Sequence, residues 1–201
     1  MPSKNRIKTY LKNGYYHIYN RGVNKQPIFN DEQDYGVFLS YLKEYLIPKN
    51  EKELQERLAN PQTNYKEKDK ILKILRLNNF ADEIKLLAYS LMPNHFHFLI
   101  KQISEMAIDK FMNSLGTRYT MFFNKKRGRS GVLFQGLFRA ILVDKEPYFF
   151  YLPYYIHLNP LDLVEPRWRE GEIKDYQKAV SFLENYRWSS HLDYLGQKNL
   201  P

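Results

Sequence analysis

The chain has 201 residues, of which 43% are hydrophobic and 26% are charged. This composition excludes an intrinsically disordered protein and supplies a real core, so we expect a single domain over residues 1–201. The 31 Lys and Arg residues exceed the 22 Asp and Glu residues and give a net charge of +9, which favours a polyanionic partner. The absence of cysteine excludes disulfides, thiolate metal sites and cysteine nucleophiles.

Hydrophobic periodicity predicts strands and helices in turn. A strand is predicted over 15–21, and a helix is predicted between Asp31, a candidate N-cap, and Pro48. Residues 49–84 are rich in charge and carry a thin apolar stripe around 68–77, which indicates a helical insertion on the surface. No apolar run is long enough to span a membrane and no signal peptide is visible, so a cytoplasmic protein without membrane contact is expected.

The second half of the chain completes a recognisable order of elements. Strands are predicted over 85–91, 95–101 and 139–143, helices over 105–124 and 146–158, and a tail with one amphipathic segment from about 161 to 201. The order strand, helix, strand, strand, helix, strand is typical of a ferredoxin-like split βαβ sheet. We therefore predict an α+β fold with an antiparallel sheet, an added late helix and a helical insertion.

Two histidines lie one residue apart in the strand predicted over 95–101. His95 and His97 alternate with Phe96 and Phe98, so both imidazoles would project from one face while the phenylalanines face a core. Two neutral imidazoles in this arrangement can share a divalent cation, although two ligands alone do not complete a site. The alternative is one histidine bonded within the core and one exposed histidine.

A tyrosine and an asparagine lie one helical turn apart at the end of the last predicted helix. Tyr155 and Asn159 would project together from residues 146–158. A phenol is a weak nucleophile at neutral pH, but it becomes a plausible one beside a phosphate whose charge a cation neutralises. The Asn159 oxygen would add a third ligand, leaving open positions that suit octahedral Mg²⁺ or Mn²⁺. The alternative is that Tyr155 packs in the core and Asn159 caps the helix before Pro160.

The stretch from Lys110 to Val143 contains no acidic residue and interleaves cations with phenylalanines. Cations for the backbone and rings for unstacked bases are typical of a groove that binds single-stranded nucleic acid. The alternative is a basic helix end beside an aromatic core. The candidate nucleic-acid contacts are Arg118, Lys125, Lys126, Arg127, Arg129 and Arg139.

Several blocks of sequence resemble the HUH-type single-tyrosine transposases, and most closely the bacterial REP-associated tyrosine transposases. The resemblance rests chiefly on Met-Pro-Asn-His-Phe-His at 92–97 and Tyr-Ile-His-Leu-Asn-Pro at 155–160. Further matching blocks, in order along the chain, are 15–22, 131–136 and 186–190.

The resemblance implies a ferredoxin-like nuclease with His95, His97 and Asn159 as metal ligands and Tyr155 as nucleophile. Tyr155 would attack single-stranded DNA, release a 3′-hydroxyl and keep a 5′-phosphotyrosine that a second 3′-hydroxyl can attack. The expected partner is hairpin-forming repeat DNA in a bacterial, nucleoid-associated setting, and the protein would be a monomer or a homodimer. Tyr154, which neighbours Tyr155, departs from the family pattern, but only Tyr155 lies four residues before Asn159.

Two other functions fit parts of the same pattern. A non-catalytic nucleic-acid-binding module on a ferredoxin-like fold would keep the basic aromatic face without a cation at His95 and His97. A metal-dependent phosphoesterase would use the ion to activate water while Tyr155 only packs. His17 and His157 are expected to have supporting roles rather than to bind metal.

Overall fold

The computed structural model describes residues 10–197, and within them four strands form one antiparallel sheet. The strands are β1 (Tyr15–Arg21), β2 (Ile84–Met92), β3 (His95–Gln102) and β4 (Arg139–Leu142). They lie side by side in the order β2, β3, β1, β4, with every neighbouring pair antiparallel. This order is that of the ferredoxin-like split βαβ sheet, so the predicted α+β fold is confirmed.

Seven α-helices occur between residues 10 and 197, together with three short 3₁₀ turns at Val23–Lys25, Asn159–Leu163 and Trp168–Glu170. The helices are α1 (Glu32–Leu46), α2 (Glu51–Ala59), α3 (Tyr65–Arg76), α4 (Ala107–Lys126), α5 (Glu146–Leu158), α6 (Tyr176–Asn185) and α7 (His191–Tyr194). The predicted N-cap of α1 and the predicted bounds of α5 are confirmed. Asp31 caps α1 by accepting a hydrogen bond from the Asp34 amide, and α5 spans 146–158.

The two faces of the sheet pack against different helices. The larger core contains Phe96, Phe98 and Ile100 of β3 and the apolar sides of α1 and α4. A smaller cluster joins Leu99 of β3 to Leu152 and Ile156 of α5. Because successive strand residues point to opposite faces, the α5 face is the one that also receives His95 and His97.

The insertion at 49–84 forms a helical hairpin of α2 and α3, where the apolar stripe alone predicted one helix. Both helices begin at an asparagine whose side chain accepts from an amide three residues later, Asn50 from Glu53 and Asn64 from Glu67. This pattern of a capping residue with glutamate three positions on is a signal for a helix start, and it would have identified α2. Only Ile71 of the two helices is buried, which is consistent with a surface insertion.

The last part of the described chain runs back along β2, one of the two edge strands of the sheet. The Leu91 amide donates to the Trp188 carbonyl, and the Ser190 amide donates to the Tyr89 carbonyl. The Tyr186 hydroxyl adds a bond to the Leu91 carbonyl. The backbone of this edge is therefore partly satisfied by the tail. Across residues 10–197, no helix combines the length and apolarity needed to cross a lipid bilayer.

Candidate active site

The candidate metal ligands lie at the start of β3, where the pairing with β1 fixes which way they point. His95 pairs with Arg21 and His97 pairs with Tyr19 across the two strands. The two imidazole ring centres are 5.1 Å apart, with the rings perpendicular. Both side chains project from the same face of the sheet, as the strand period predicts.

Asn94 sets the protonation of the His95 ring. Its side-chain oxygen lies 2.6 Å from Nδ1 of His95, while its amide nitrogen donates to the Lys25 carbonyl. The oxygen can only accept, so Nδ1 of His95 carries the proton and Nε2 keeps its lone pair. This tautomer is the one in which Nε2 can bind a cation.

His17 orients the ring of His97 from β1. Nε2 of His17 lies 2.8 Å from Nδ1 of His97, and Nδ1 of His17 lies 3.3 Å from the Tyr148 hydroxyl. When Tyr148 accepts, His17 accepts in turn from His97, and Nε2 of His97 is left with a lone pair. These contacts are consistent with the supporting role predicted for His17, which stays a prediction, and Tyr148 of α5 is the end of this hydrogen-bonded chain.

Burial keeps these histidines neutral. It lowers the pKa of His17 and of His95 to about 4, and it lowers the pKa of His97 well below the usual value. At His95 the negative charge of Asp162 opposes this lowering of the pKa, and the positive charges of Arg21 and Arg169 add to it. A neutral imidazole is the form that coordinates metal, so the lone pairs are available at neutral pH without competition from protons.

The structure places Tyr155, and not Tyr154, beside the histidines. The ring centre of Tyr155 is 5.7 Å from that of His97 and 5.9 Å from that of His17, edge-on in both cases. Tyr154 is 69% exposed. The helical spacing of α5 thus turns one of two adjacent phenols toward β3 and the other toward solvent.

Asn159 follows α5 and is fully buried. Its amide nitrogen donates to the Tyr155 carbonyl over 2.6 Å, and its side-chain oxygen accepts from the Arg169 guanidinium over 2.9 Å. A hydrogen bond that the protonated His95 ring donates to Asn159 raises the pKa of His95 against the stronger effect of burial. Tyr155, His95, His97 and Asn159 therefore form one contiguous group.

These residues fit a divalent cation in the kind of donor atoms they offer. Between residues 10 and 197 no cluster of three or more His, Cys, Asp or Glu residues is arranged to hold an ion. The candidate set instead combines two imidazole nitrogens with one amide oxygen, which suits a cation that keeps open positions for substrate oxygens. The Asn159 oxygen also accepts a hydrogen bond from Arg169.

The candidate nucleic-acid contacts divide between the two faces of the sheet. On the α4 side, Arg118 pairs with Glu44 at 2.6 Å, and Lys126 and Arg127 both pair with the fully buried Asp34. These three cations already pair with acidic side chains of α1, so they are less available to phosphates than the sequence suggests. Their roles in DNA binding stay predictions. Lys125 is exposed, and Arg129 donates to the Val132 carbonyl.

Arg139 alone of these six lies on the face that carries the histidines. It is exposed and pairs with Tyr19, which pairs in turn with His97, so the three side chains project from the same face. Arg21, opposite His95, is a second exposed cation there, and Arg169 is a third. Arg21 and Arg169 were not among the predicted contacts. Arg21 could have been found from strand alternation with His17, whereas nothing local points to Arg169.

Comparisons with known proteins identify the family. The family model described as "Transposase IS200 like" matches residues 57–159, more than half of the chain. The chain belongs to the IS200-like transposase family. The matched part of this transposase contains His95, His97, Tyr155 and Asn159. No curated protein matches it in sequence.

The fold of this transposase is also that of a solved relative. It is similar to a REP-associated tyrosine transposase bound to a REP hairpin, with a TM-score of 0.50 and 12% identity, over 98% of this chain and 88% of that chain. A putative transposase from Deinococcus radiodurans R1 is a weaker match, with a TM-score of 0.39 and 13% identity, over 75% of this chain and 95% of that chain. The first match supports a shared fold, in agreement with the resemblance seen in the sequence.

Proposed function

We propose that this transposase is a metal-dependent endonuclease and strand transferase of single-stranded DNA that acts through Tyr155. The observation that carries the proposal is the contact of the Tyr155 ring with His97, on the face of the sheet where His95 and Asn159 also lie. Membership of a transposase family supports DNA as the substrate. Hairpin-forming repeats are the proposed form of that DNA, as in the complex of the similar structure.

The proposed reaction is an in-line displacement at phosphorus. The Tyr155 oxygen forms a bond to the scissile phosphorus, the bond to the 3′ oxygen breaks, and the 3′-hydroxyl leaves with a proton. Tyr155 then carries the 5′ phosphate until another 3′-hydroxyl attacks and reverses the step. A divalent cation held by His95, His97 and Asn159 would neutralise phosphate charge and so favour attack by the phenol oxygen.

The residues around this group would serve the same reaction without touching the phosphorus. Asn94 and His17 hold the two imidazoles in the orientation and tautomer that leave their Nε2 atoms free. Exposed Arg21 and Arg139 lie on the same face and would attract the phosphate backbone. Packing of α5 on Leu99 fixes the distance of Tyr155 from β3.

The decisive experiment is a search for the covalent adduct. Labelled hairpin DNA is incubated with protein and Mn²⁺, denatured and separated by size. We expect an adduct with the unaltered chain and with Tyr154→Phe, and none with Tyr155→Phe, because of these two neighbouring tyrosines only Tyr155 has its ring against His97. An adduct formed by Tyr155→Phe would assign the nucleophile elsewhere.

Two other outcomes would select the alternative functions. DNA cleaved in the presence of Mn²⁺ without an adduct indicates a phosphoesterase that activates water. DNA bound but left intact by a protein that does not bind Mn²⁺ indicates a non-catalytic nucleic-acid-binding module. Chelation by EDTA should abolish adduct formation and leave the weaker electrostatic binding of DNA in place.

A further inference from the structure

Arg169 links the candidate metal ligand to the candidate nucleophile. It lies in the short turn Trp168–Glu170, and its guanidinium donates to the Asn159 side-chain oxygen over 2.9 Å. The same group donates to Asp162 over 2.8 Å. Its charge lies 5.7 Å from the centre of the Tyr155 ring. One cation therefore contacts both of the groups that end α5 on the active-site face.

The position of Arg169 opposes the binding of a divalent cation by Asn159. The Asn159 oxygen is the atom that would bind the divalent cation, and a guanidinium bonded to that oxygen brings like charge close to the ion. Asn159 itself is held in place, because its amide nitrogen donates to the Tyr155 carbonyl over 2.6 Å. Arg169 is the member able to move, because its side chain is 42% exposed and Asn159 is fully buried.

A guanidinium that leaves Asn159 has a natural acceptor in the substrate. Its planar fork can bind two oxygens of one phosphate, a geometry that arginine matches better than lysine. The phosphate attacked by Tyr155 must come next to the ring that Arg169 already approaches. A short movement would therefore exchange one oxygen acceptor for another.

We propose, on the basis of the function proposed above, that Arg169 is a substrate-sensing residue that binds the scissile phosphate. Without DNA it holds the Asn159 oxygen and weakens metal binding. With DNA its guanidinium transfers to the phosphate and releases that oxygen for the cation. Binding of DNA and binding of metal then strengthen each other by the same factor, as linkage requires.

The test measures Mn²⁺ affinity by isothermal titration calorimetry, with and without a single-stranded hairpin oligonucleotide. Tyr155→Phe serves as the parent, so that the DNA is not consumed. We expect DNA to raise the Mn²⁺ affinity of this parent about fivefold or more. Adding Arg169→Ala should raise the affinity without DNA by about threefold to tenfold, because a like charge is removed. It should also abolish the further increase on adding DNA.

Arg167→Ala is the matched control. Arg167 lies two residues away, is exposed, and pairs with Glu170 and Glu172 rather than with Asn159. It removes the same charge from the same segment, so it should leave both the Mn²⁺ affinity and its response to DNA as in the parent. Arg169→Gln, which keeps an amide donor but loses the charge, is measured beside Arg169→Ala and replaces it if the alanine variant does not fold.

A residue that only fastened the tail to α5 would give a different result. Weaker or unchanged Mn²⁺ binding by the Arg169 variants, or a response to DNA that survives them, would overturn the inference. The adduct assay on the chain with Tyr155 intact tests the proposed function separately. An adduct together with unchanged Mn²⁺ binding in Arg169→Ala would remove this inference alone, and no adduct together with Arg169-dependent coupling would remove the strand-transfer step alone.

Discussion

The two faces of the sheet carry similar basic side chains and place them in opposite surroundings. On the α1 and α4 face, Lys126 and Arg127 converge on Asp34, which is fully buried, and Arg118 pairs with Glu44. On the α5 face, Arg21 and Arg139 are exposed beside neutral histidines. The first set of cations joins two helices, and the second set is free to meet an anionic ligand. The number of basic residues therefore does not show which face is available to DNA. The presence or absence of acidic partners for those residues does.

The largest effect expected from this difference is at His97. His97→Ala removes an imidazole from the α5 face, and we expect adduct formation and Mn²⁺ affinity to fall by at least about 100-fold. The measurements are single-turnover cleavage and calorimetric titration with Mn²⁺. His191→Ala, which removes a half-buried histidine of α7 outside the site, should change neither. Unchanged Mn²⁺ affinity in His97→Ala would exclude this residue as a ligand.

The second expected effect belongs to the opposite face and concerns stability. Asp34→Ala removes the buried one of the two carboxylates that Lys126 and Arg127 share, leaves them only the half-exposed Asp31, and deprives the Asn30 amide of its acceptor. We expect the free energy of unfolding to fall by about 3 kcal/mol, near the low end for breaking a buried pair because both cations are partly exposed. Urea denaturation measures it. Adduct formation below the melting temperature should persist, and its loss in a folded variant would show that the two faces are coupled.

The smallest expected effect is on DNA binding, and it is measured by removing one cation from each face in turn. Arg139→Ala should weaken binding of single-stranded DNA by about threefold to tenfold and lower the salt slope by about 0.7, as expected for one lost phosphate contact. Lys126→Ala should change DNA binding little, because its charge is already paired with Asp31 and Asp34. Fluorescence anisotropy at several salt concentrations measures both. A larger loss for Lys126→Ala would move the nucleic-acid interface to the α4 face.

Most of the fold was accessible from the sequence because its signals are local. Strand alternation, the Asp31 cap and the proline after α1 gave the order of elements, and that order specified the sheet. Helix α2 was missed because none of its residues is buried, so it carries no apolar stripe to detect. Its asparagine cap was the available signal.

The candidate site was accessible in part for the same reason. The i, i+2 spacing of His95 and His97 and the i, i+4 spacing of Tyr155 and Asn159 each describe one element. The absence of acids around α4 did not indicate unpaired cations there, because α1 and its N-cap supply Asp31, Asp34 and Glu44 from more than 70 residues away in sequence. No window of sequence can show which acids a distant helix will bring.

The sequence by itself determined the direction of each side chain along its own strand or helix, since the backbone period fixes that direction wherever the element lies. Only the tertiary structure decided that α5 packs on the histidine face, that the Tyr155 ring lies against His97, and that Arg169 reaches the Asn159 oxygen. Those contacts join separate elements. They depend on how apolar surfaces are buried together across the whole domain, which no local pattern records.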